Sequence, residues 1–161
     1  MTRIQYKKGD VIAAAKRVAA LDKMVIIPHV VNSKGAWGAG FVLAVSKAWP
    51  EPKKVYNEFI QTTETEDDRL GIVTFVNVEK NIIVANMCAQ TLGWVDKIPP
   101  IRYEALEACL SELRYIAKSL NAIILAPKFG AGLAGGNWSE IEQLITEYFE
   151  QDRNDFVVFE L

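Results

Sequence analysis

Two stretches of the chain, Val25 to Val31 (VIIPHVV) and Ala122 to Pro127 (AIILAP), run apolar without the alternation that marks a half-exposed strand. A strand of that kind is stable only when both of its faces are covered, so these two segments predict the middle of a sheet packed between helices. Further β-branched or apolar runs complete the sheet: the first extends to Met24–Val31, and Ile72–Val78, Ile82–Met87, Phe156–Phe159 and a weaker Ile4–Tyr6 bring the total to about six strands. Helical patterns alternate with these runs. The expected architecture is therefore a three-layer α/β/α sandwich around a mixed, largely parallel sheet, in one domain spanning residues 1–161.

The clearest helix lies between Arg102 and Leu120, where Tyr103, Leu106, Leu110, Leu113, Ile116 and Leu120 recur every three or four residues and the charges fall largely elsewhere. A second stripe, Ile141, Leu144, Ile145, Tyr148 and Phe149, follows Asn137-x-x-Glu140, a capping-box spacing. Shorter helices are expected from Val11 to Leu21 behind an Asp10 cap, from Phe41 to Trp49 with Pro50 as its stop, and from Lys53 to Thr62 after Pro52. Thr62–Arg69 (TTETEDDR) reads as a solvated acidic turn and Leu92–Pro100 as a loop.

Composition removes several function classes. Eighteen basic against twenty acidic residues leave a net charge of −2, too even for a generic nucleic-acid or membrane-surface binder. The longest uncharged run, Asn81 to Val95, is 15 residues and carries Asn, Gln and Thr, short of the roughly 20 apolar residues of a membrane span. With the polar start MTRIQYKKGD, this leads to the expectation of a cytoplasmic or nuclear protein, without membrane contact and monomeric. Cys88 and Cys109 stand 21 residues apart and His29 is the single histidine, so no metal site or cofactor is expected, and both cysteines read as small buried hydrophobes.

The functional signal is in the glycines. Seven of ten fall in two short segments, Gly35, Gly38 and Gly40 in NSKGAWGAGF and Gly130, Gly132, Gly135 and Gly136 in KFGAGLAGGNW. Each segment follows an expected central strand and leads toward a helix. Two such loops at the carboxyl ends of parallel neighbours form one cleft, where close backbone approach and free N–H groups favour a phosphate or diphosphate. Gly130-Ala-Gly132-Leu-Ala-Gly135 matches the dinucleotide fingerprint letter for letter, but the 26 residues after Gly135 hold only one helix and one strand, less than that fold requires. There is no G-x-x-x-x-G-K-[ST] either.

Taken in order, KGDV at Lys8–Val11, HVVNSKGAWGAGF at His29–Phe41 and PKFGAGLAGGNW at Pro127–Trp138 resemble a macrodomain, the ADP-ribose-binding module. The resemblance is closest to the branch with ADP-ribose 1″-phosphate phosphatases and small ADP-ribosyl-acceptor hydrolases. It implies that Asp10, with Val11 beside it, meets the adenine amino group, although Asp10 also stands where a helix cap is expected. Asn32 would contact the distal ribose, or serve only as a turn residue. Gly38, Ala39, Gly40 and Phe41 would line one side of the diphosphate, and Gly130, Ala131, Gly132, Leu133 and Ala134 the other. Phe159 and Leu161 would pack at the adenine, the former being as readily a core residue.

Acceptor hydrolases in this neighbourhood use a Lys and an Asp, the Asp just after the second G-x-G, where this chain has Ala134. The phosphatase-like members carry a His three residues before the Asn, as His29 precedes Asn32. The resemblance thus implies a metal-independent hydrolase of ADP-ribose 1″-phosphate or a related distal-ribose adduct, with His29 and Asn32 as its catalytic pair. A reader of ADP-ribose without turnover is the alternative, as is an acceptor hydrolase acting on ADP-ribosylated protein or nucleic acid. An RNA-binding use of the cleft is disfavoured by the balanced charge.

Overall fold

The computed structural model describes residues 4–161. In chain order the elements are β1 (Ile4–Lys8), α1 (Val11–Ala19), β2 (Val25–Asn32), α2 (Phe41–Ala48), α3 (Glu51–Thr62), α4 (Glu66–Arg69), β3 (Val73–Glu79), β4 (Ile82–Gln90), α5 (Tyr103–Leu120), β5 (Ile123–Pro127), α6 (Trp138–Phe149) and β6 (Phe156–Glu160). One six-stranded sheet has the order β1-β6-β5-β2-β4-β3, parallel throughout except for β3, which pairs antiparallel with β4 at the edge. The two unalternating runs, β2 and β5, are the central neighbours, as their composition requires.

Successive residues of the central strands point into different layers. Ile26, Ile83, Met87, Ile124 and Phe156 pack with Leu106, Leu110 and Leu113 of α5 and with Ile141, Ile145 and Phe149 of α6. Val25, Ile27, Val84, Leu125 and Val157 pack on the opposite face with Val11 and Ala15 of α1, Val42 and Val45 of α2, and Tyr56 of α3. Truncating one of the buried leucines of α5 to alanine is expected to cost about 2–5 kcal/mol, through lost transfer energy and the cavity left behind.

Several boundaries differ from the sequence reading. β4 runs three residues past Met87 to Gln90 and is buried from Ile82 to Ala89, because Cys88 and Gln90 pair with Val31 and Asn32 of β2 and carry Ala89 in the irregularity between them. α3 starts at Glu51, ahead of Pro52, whose missing N–H costs nothing in a first turn. The acidic turn contains α4, capped by Thr65 Oγ1 accepting from Asp68 N at 3.1 Å. Asn137 accepts from Glu140 N at 3.3 Å, but the other half of the expected capping box is taken by Tyr103, whose hydroxyl accepts from Asn137 N at 2.8 Å. Among the described residues no helix is long and apolar enough to cross a membrane.

Candidate active site between two glycine loops

The cleft follows from how β2 and β5 part. Their ladder comprises Val25↔Ile123 and Ile26↔Ile124, whereas β2 stays paired with β4 as far as Asn32↔Gln90. Beyond Ile26 and Ile124 the two strands are no longer paired with each other, and a cavity of about 450 Å³ opens between their carboxyl ends. That is the crevice where open α/β sheets take ligands, and its size suits a small molecule. The first glycine loop supplies Gly38, Ala39, Gly40, Phe41 and Val42 to its wall, and the second supplies Gly130, Gly132, Leu133 and Ala134. The loops meet: the Leu133 side chain reaches to where a Cβ on Gly40 would stand, with 3.4 Å between them.

Gly40 has φ +82 and is the N-cap of α2, which therefore begins without a side-chain cap. Leu43 N donates back to the Gly40 carbonyl at 3.1 Å, and Phe41 and Val42 of the same first turn line the cavity, where a helix N-terminus favours an anion. Gly136 has a different task. A Cβ there would lie 2.4 Å from the Gly130 carbonyl oxygen, and Gly136 N donates to that oxygen at 2.8 Å, so the second loop closes on itself. A Cβ on Gly135 would lie 2.5 Å from the Trp94 ring. The loop Leu92–Pro100, which the sequence leaves without a role, therefore braces the second glycine segment, and its Leu92, Gly93 and Pro100 line the cavity.

Asn32 is 8% exposed and lines the cavity, but most of its amide is already engaged. Oδ1 accepts from Lys34 N (3.0 Å), Ala36 N (3.1 Å) and the Tyr56 hydroxyl (2.9 Å), while Nδ2 donates to the Ala36 carbonyl (2.6 Å). One amide hydrogen is left. The Tyr56 hydroxyl also bonds the Asn32 carbonyl (2.6 Å) and accepts from Gly35 N (3.0 Å), and its burial pushes its pKa up to about 12.

The remainder of the first loop is held from α4 and the segment before it. Arg69 gives Nη1 to the carbonyl of fully buried Ser33 (2.9 Å), Nη2 to the Ile60 and Thr63 carbonyls (2.9 and 2.7 Å), and Nε to Thr63 Oγ1 (2.7 Å). Glu66 accepts from Ser33 Oγ (2.5 Å), Thr91 Oγ1 (2.8 Å) and Lys34 Nζ (2.8 Å), contacts that hold its carboxyl down at about 2. Glu66, its side chain still 36% exposed, and Arg69 turn toward the first loop, because a loop that makes few strand or helix bonds must find donors and acceptors elsewhere.

His29 lines the cavity floor, 2% exposed, with the rings of Trp37 and Phe41 edge-on at 5.6 and 5.7 Å between centroids. Its Nε2 lies 2.6 Å from Asn86 Oδ1, and Asn86 Nδ2 donates to the Pro52 carbonyl at 3.0 Å. Burial lowers the His29 pKa to about 4, an effect only partly offset by the hydrogen bond to Asn86.

The remaining candidates lie apart. Asp10, Val11, Ala131, Phe159 and Leu161 are not among the residues lining the cavity. Asp10 caps α1, its Oδ1 accepting from Ile12 N (2.8 Å) and Ala13 N (3.2 Å). The Val11 side chain is buried in the core, Phe159 packs against that same core cluster, and Leu161 is fully exposed. Of the lining residues that escaped sequence reasoning, two carry polar side chains: Gln90, beside Asn32 in register on β4, and Lys128, immediately after β5. Their only available signal was adjacency to a strand end. Among the described residues that line the cavity, Lys128 carries the one full positive charge and none carries a carboxylate.

No protein-family model matches the chain. A macrodomain protein from Streptomyces coelicolor is similar to it over 99% of both chains, at 35% identity and a TM-score of 0.81. A protein of unknown function from Bacteroides thetaiotaomicron matches over 99% of both chains, at 37% identity and a TM-score of 0.89. Among curated relatives, the ADP-ribose 1″-phosphate phosphatase of Candida albicans is 26% identical, over 96% of this chain and 99% of its own length.

Proposed function

The chain belongs to the macrodomain family, and on that premise we propose that it binds ADP-ribose between its two glycine loops and hydrolyses ADP-ribose 1″-phosphate or a related distal-ribose adduct. The observation that carries the reading is the pair of loops at the carboxyl ends of β2 and β5, in contact through Leu133 and Gly40 around a cavity of small-molecule size. Phosphate-monoester chemistry is favoured over removal of ADP-ribose from an acceptor for two reasons. The Candida relative bears a phosphatase name, and Ala134 stands in the cavity wall where an acceptor hydrolase of this neighbourhood would carry a carboxylate.

In this reading the open N-terminus of α2 and the backbone of both loops bind the diphosphate, and the remaining Asn32 amide hydrogen meets the distal ribose. Asp10 would use its second carboxylate oxygen, and Phe159 and Leu161 the carboxyl end of β6, at the adenosine end. Water attacks the phosphorus of the 1″-phosphate, the bond from phosphorus to the ribose oxygen breaks, and that oxygen takes up a proton as phosphate leaves. His29 contributes a fixed, neutral ring whose Nδ1 lone pair orients the water; a group with a pKa of about 4 is a poor proton acceptor at neutral pH.

That same low basicity, with the absence of a carboxylate from the described lining residues, favours a second reading: a module that binds ADP-ribose without turning it over. Phosphate release from ADP-ribose 1″-phosphate by the purified protein separates the two. Catalytic release that falls by about 10²–10⁴ in His29→Ala supports hydrolysis; tight binding with no release above background establishes the reader.

A further inference from the structure

We propose that Lys128 is the charge that draws the adenosine-side phosphate of the ligand into the cavity, and that Glu160 holds Lys128 at the mouth until an anion takes its place. The inference rests on the ADP-ribose reading above and adds to it two residues of the binding machinery.

Lys128 follows directly on β5, and Pro127 pairs with Phe159, so Lys128 and Glu160 stand at neighbouring strand ends. Lys128 Nζ lies 3.3 Å from Glu160 Oε2 and 5.8 Å from the Trp138 ring centroid. The Glu160 carbonyl accepts from Gly9 N at 2.8 Å, which brings the β1–α1 turn and its Asp10 to the same edge. The lysine is thus placed on the side of the cavity toward Asp10 and Phe159, the adenosine end in that reading.

The electrostatic argument is one of scarcity. A diphosphate enters a wall otherwise made of glycine, apolar side chains, two amides and a neutral imidazole, where helix N–H groups offer only partial charge. Lys128 alone provides a full one. Its present partner is a weak competitor, because the pair is open to water, with side chains 40% and 44% exposed, and such pairs hold loosely. A dianion inside a partly dry cavity outbids a single exposed carboxylate, so the side chain swings inward without breaking any buried contact.

Calorimetry on Lys128→Met, Lys128→Arg, Glu160→Gln and the double variant Lys128→Met/Glu160→Gln, with ADP-ribose, ADP and adenosine as probes, tests this. Lys128→Met is expected to weaken ADP-ribose and ADP by about tenfold and leave adenosine unchanged, with Lys128→Arg near wild type. Glu160→Gln is expected to tighten both phosphate ligands by about threefold, an effect absent from the double variant. Wild-type affinity in Lys128→Met, a comparable loss for adenosine, or Glu160→Gln binding no more tightly than wild type overturns the inference and leaves the ADP-ribose reading standing. Failure of the wild-type protein to bind ADP-ribose overturns both.

Discussion

His29 and Asn86 form a hydrogen bond whose direction is fixed from outside the pair. Asn86 Nδ2 faces the Pro52 carbonyl, which can only accept, so Oδ1 faces His29 Nε2 and that nitrogen must carry the proton. The imidazole is thereby held in one tautomer, neutral, with Nδ1 as its acceptor. Because the chain has one histidine, its ring signals in NMR report this site alone. They are expected to stay at neutral-ring positions from pH 8 down to about 5.5; a midpoint near 6.5 would contradict the assignment.

Stability should follow the same group. The folded pKa of about 4 lies below the unfolded 6.5, so the unfolded chain takes up the proton first. His29 therefore contributes its full share above pH 6.5, and that share, roughly 3 kcal/mol, is lost as pH falls toward 4. Denaturant unfolding between pH 7 and 5, above the range where most carboxylates titrate, is expected to show the onset of this loss in the wild type and none in a folded His29→Phe variant.

Asn32→Ala removes the acceptor of three hydrogen bonds that shape the first loop. The expected outcome is a loss of about 2–3 kcal/mol of stability together with weaker binding of both ADP-ribose and ADP, the larger loss falling on ADP-ribose, whose distal ribose also loses the amide hydrogen. A loss confined to ADP-ribose, with stability unchanged, would show instead that the side chain serves the distal ribose and not the loop.

The two glycines of the second loop should separate cleanly. A Cβ on Gly132 meets nothing within 4 Å, so Gly132→Glu is expected to fold with near wild-type melting temperature and to lose ADP-ribose binding through bulk and negative charge in the cavity. Gly136→Ala drives a methyl against the Gly130 carbonyl and is expected to lower the melting temperature by several degrees, the mark of 1 kcal/mol or more. Thermal melts with and without ADP-ribose read both.

Glu66 lies outside the cavity lining but ties Ser33, Lys34 and Thr91 together. Its folded pKa is depressed to about 2, so its contribution is present above the ordinary carboxylate range and lost as pH falls through about 2. Glu66→Gln breaks the charge-assisted part of the clasp and is expected to weaken ADP-ribose several-fold and to lower the melting temperature modestly at neutral pH. Unchanged affinity would show that the first loop holds its shape without this clasp.

The sequence made the scaffold legible because its signals are local: the unbroken apolar runs of β2 and β5, the stripe of α5 and the clustered glycines each declare themselves within a few residues. Glycine clustering also located the cavity. The parts that stayed hidden depend on contacts between distant segments. Nothing near His29 announces Asn86, 57 residues on, or the burial that depresses its pKa. Nothing in TTETEDDR distinguishes the inward Glu66 and Arg69 from their solvated neighbours. Trp94 is an exposed loop residue whose ring nonetheless lies over Gly135, a contact that nothing beside it in the sequence announces.

The most direct test of the account is calorimetric titration of the wild-type protein with ADP-ribose and with AMP under the same conditions. In the proposed reading adenosine, diphosphate and distal ribose are bound together, so ADP-ribose is expected to bind at micromolar affinity, about −8 kcal/mol, and AMP far more weakly. Equal affinity for the two ligands, or no binding of ADP-ribose, would contradict the assignment of the cavity.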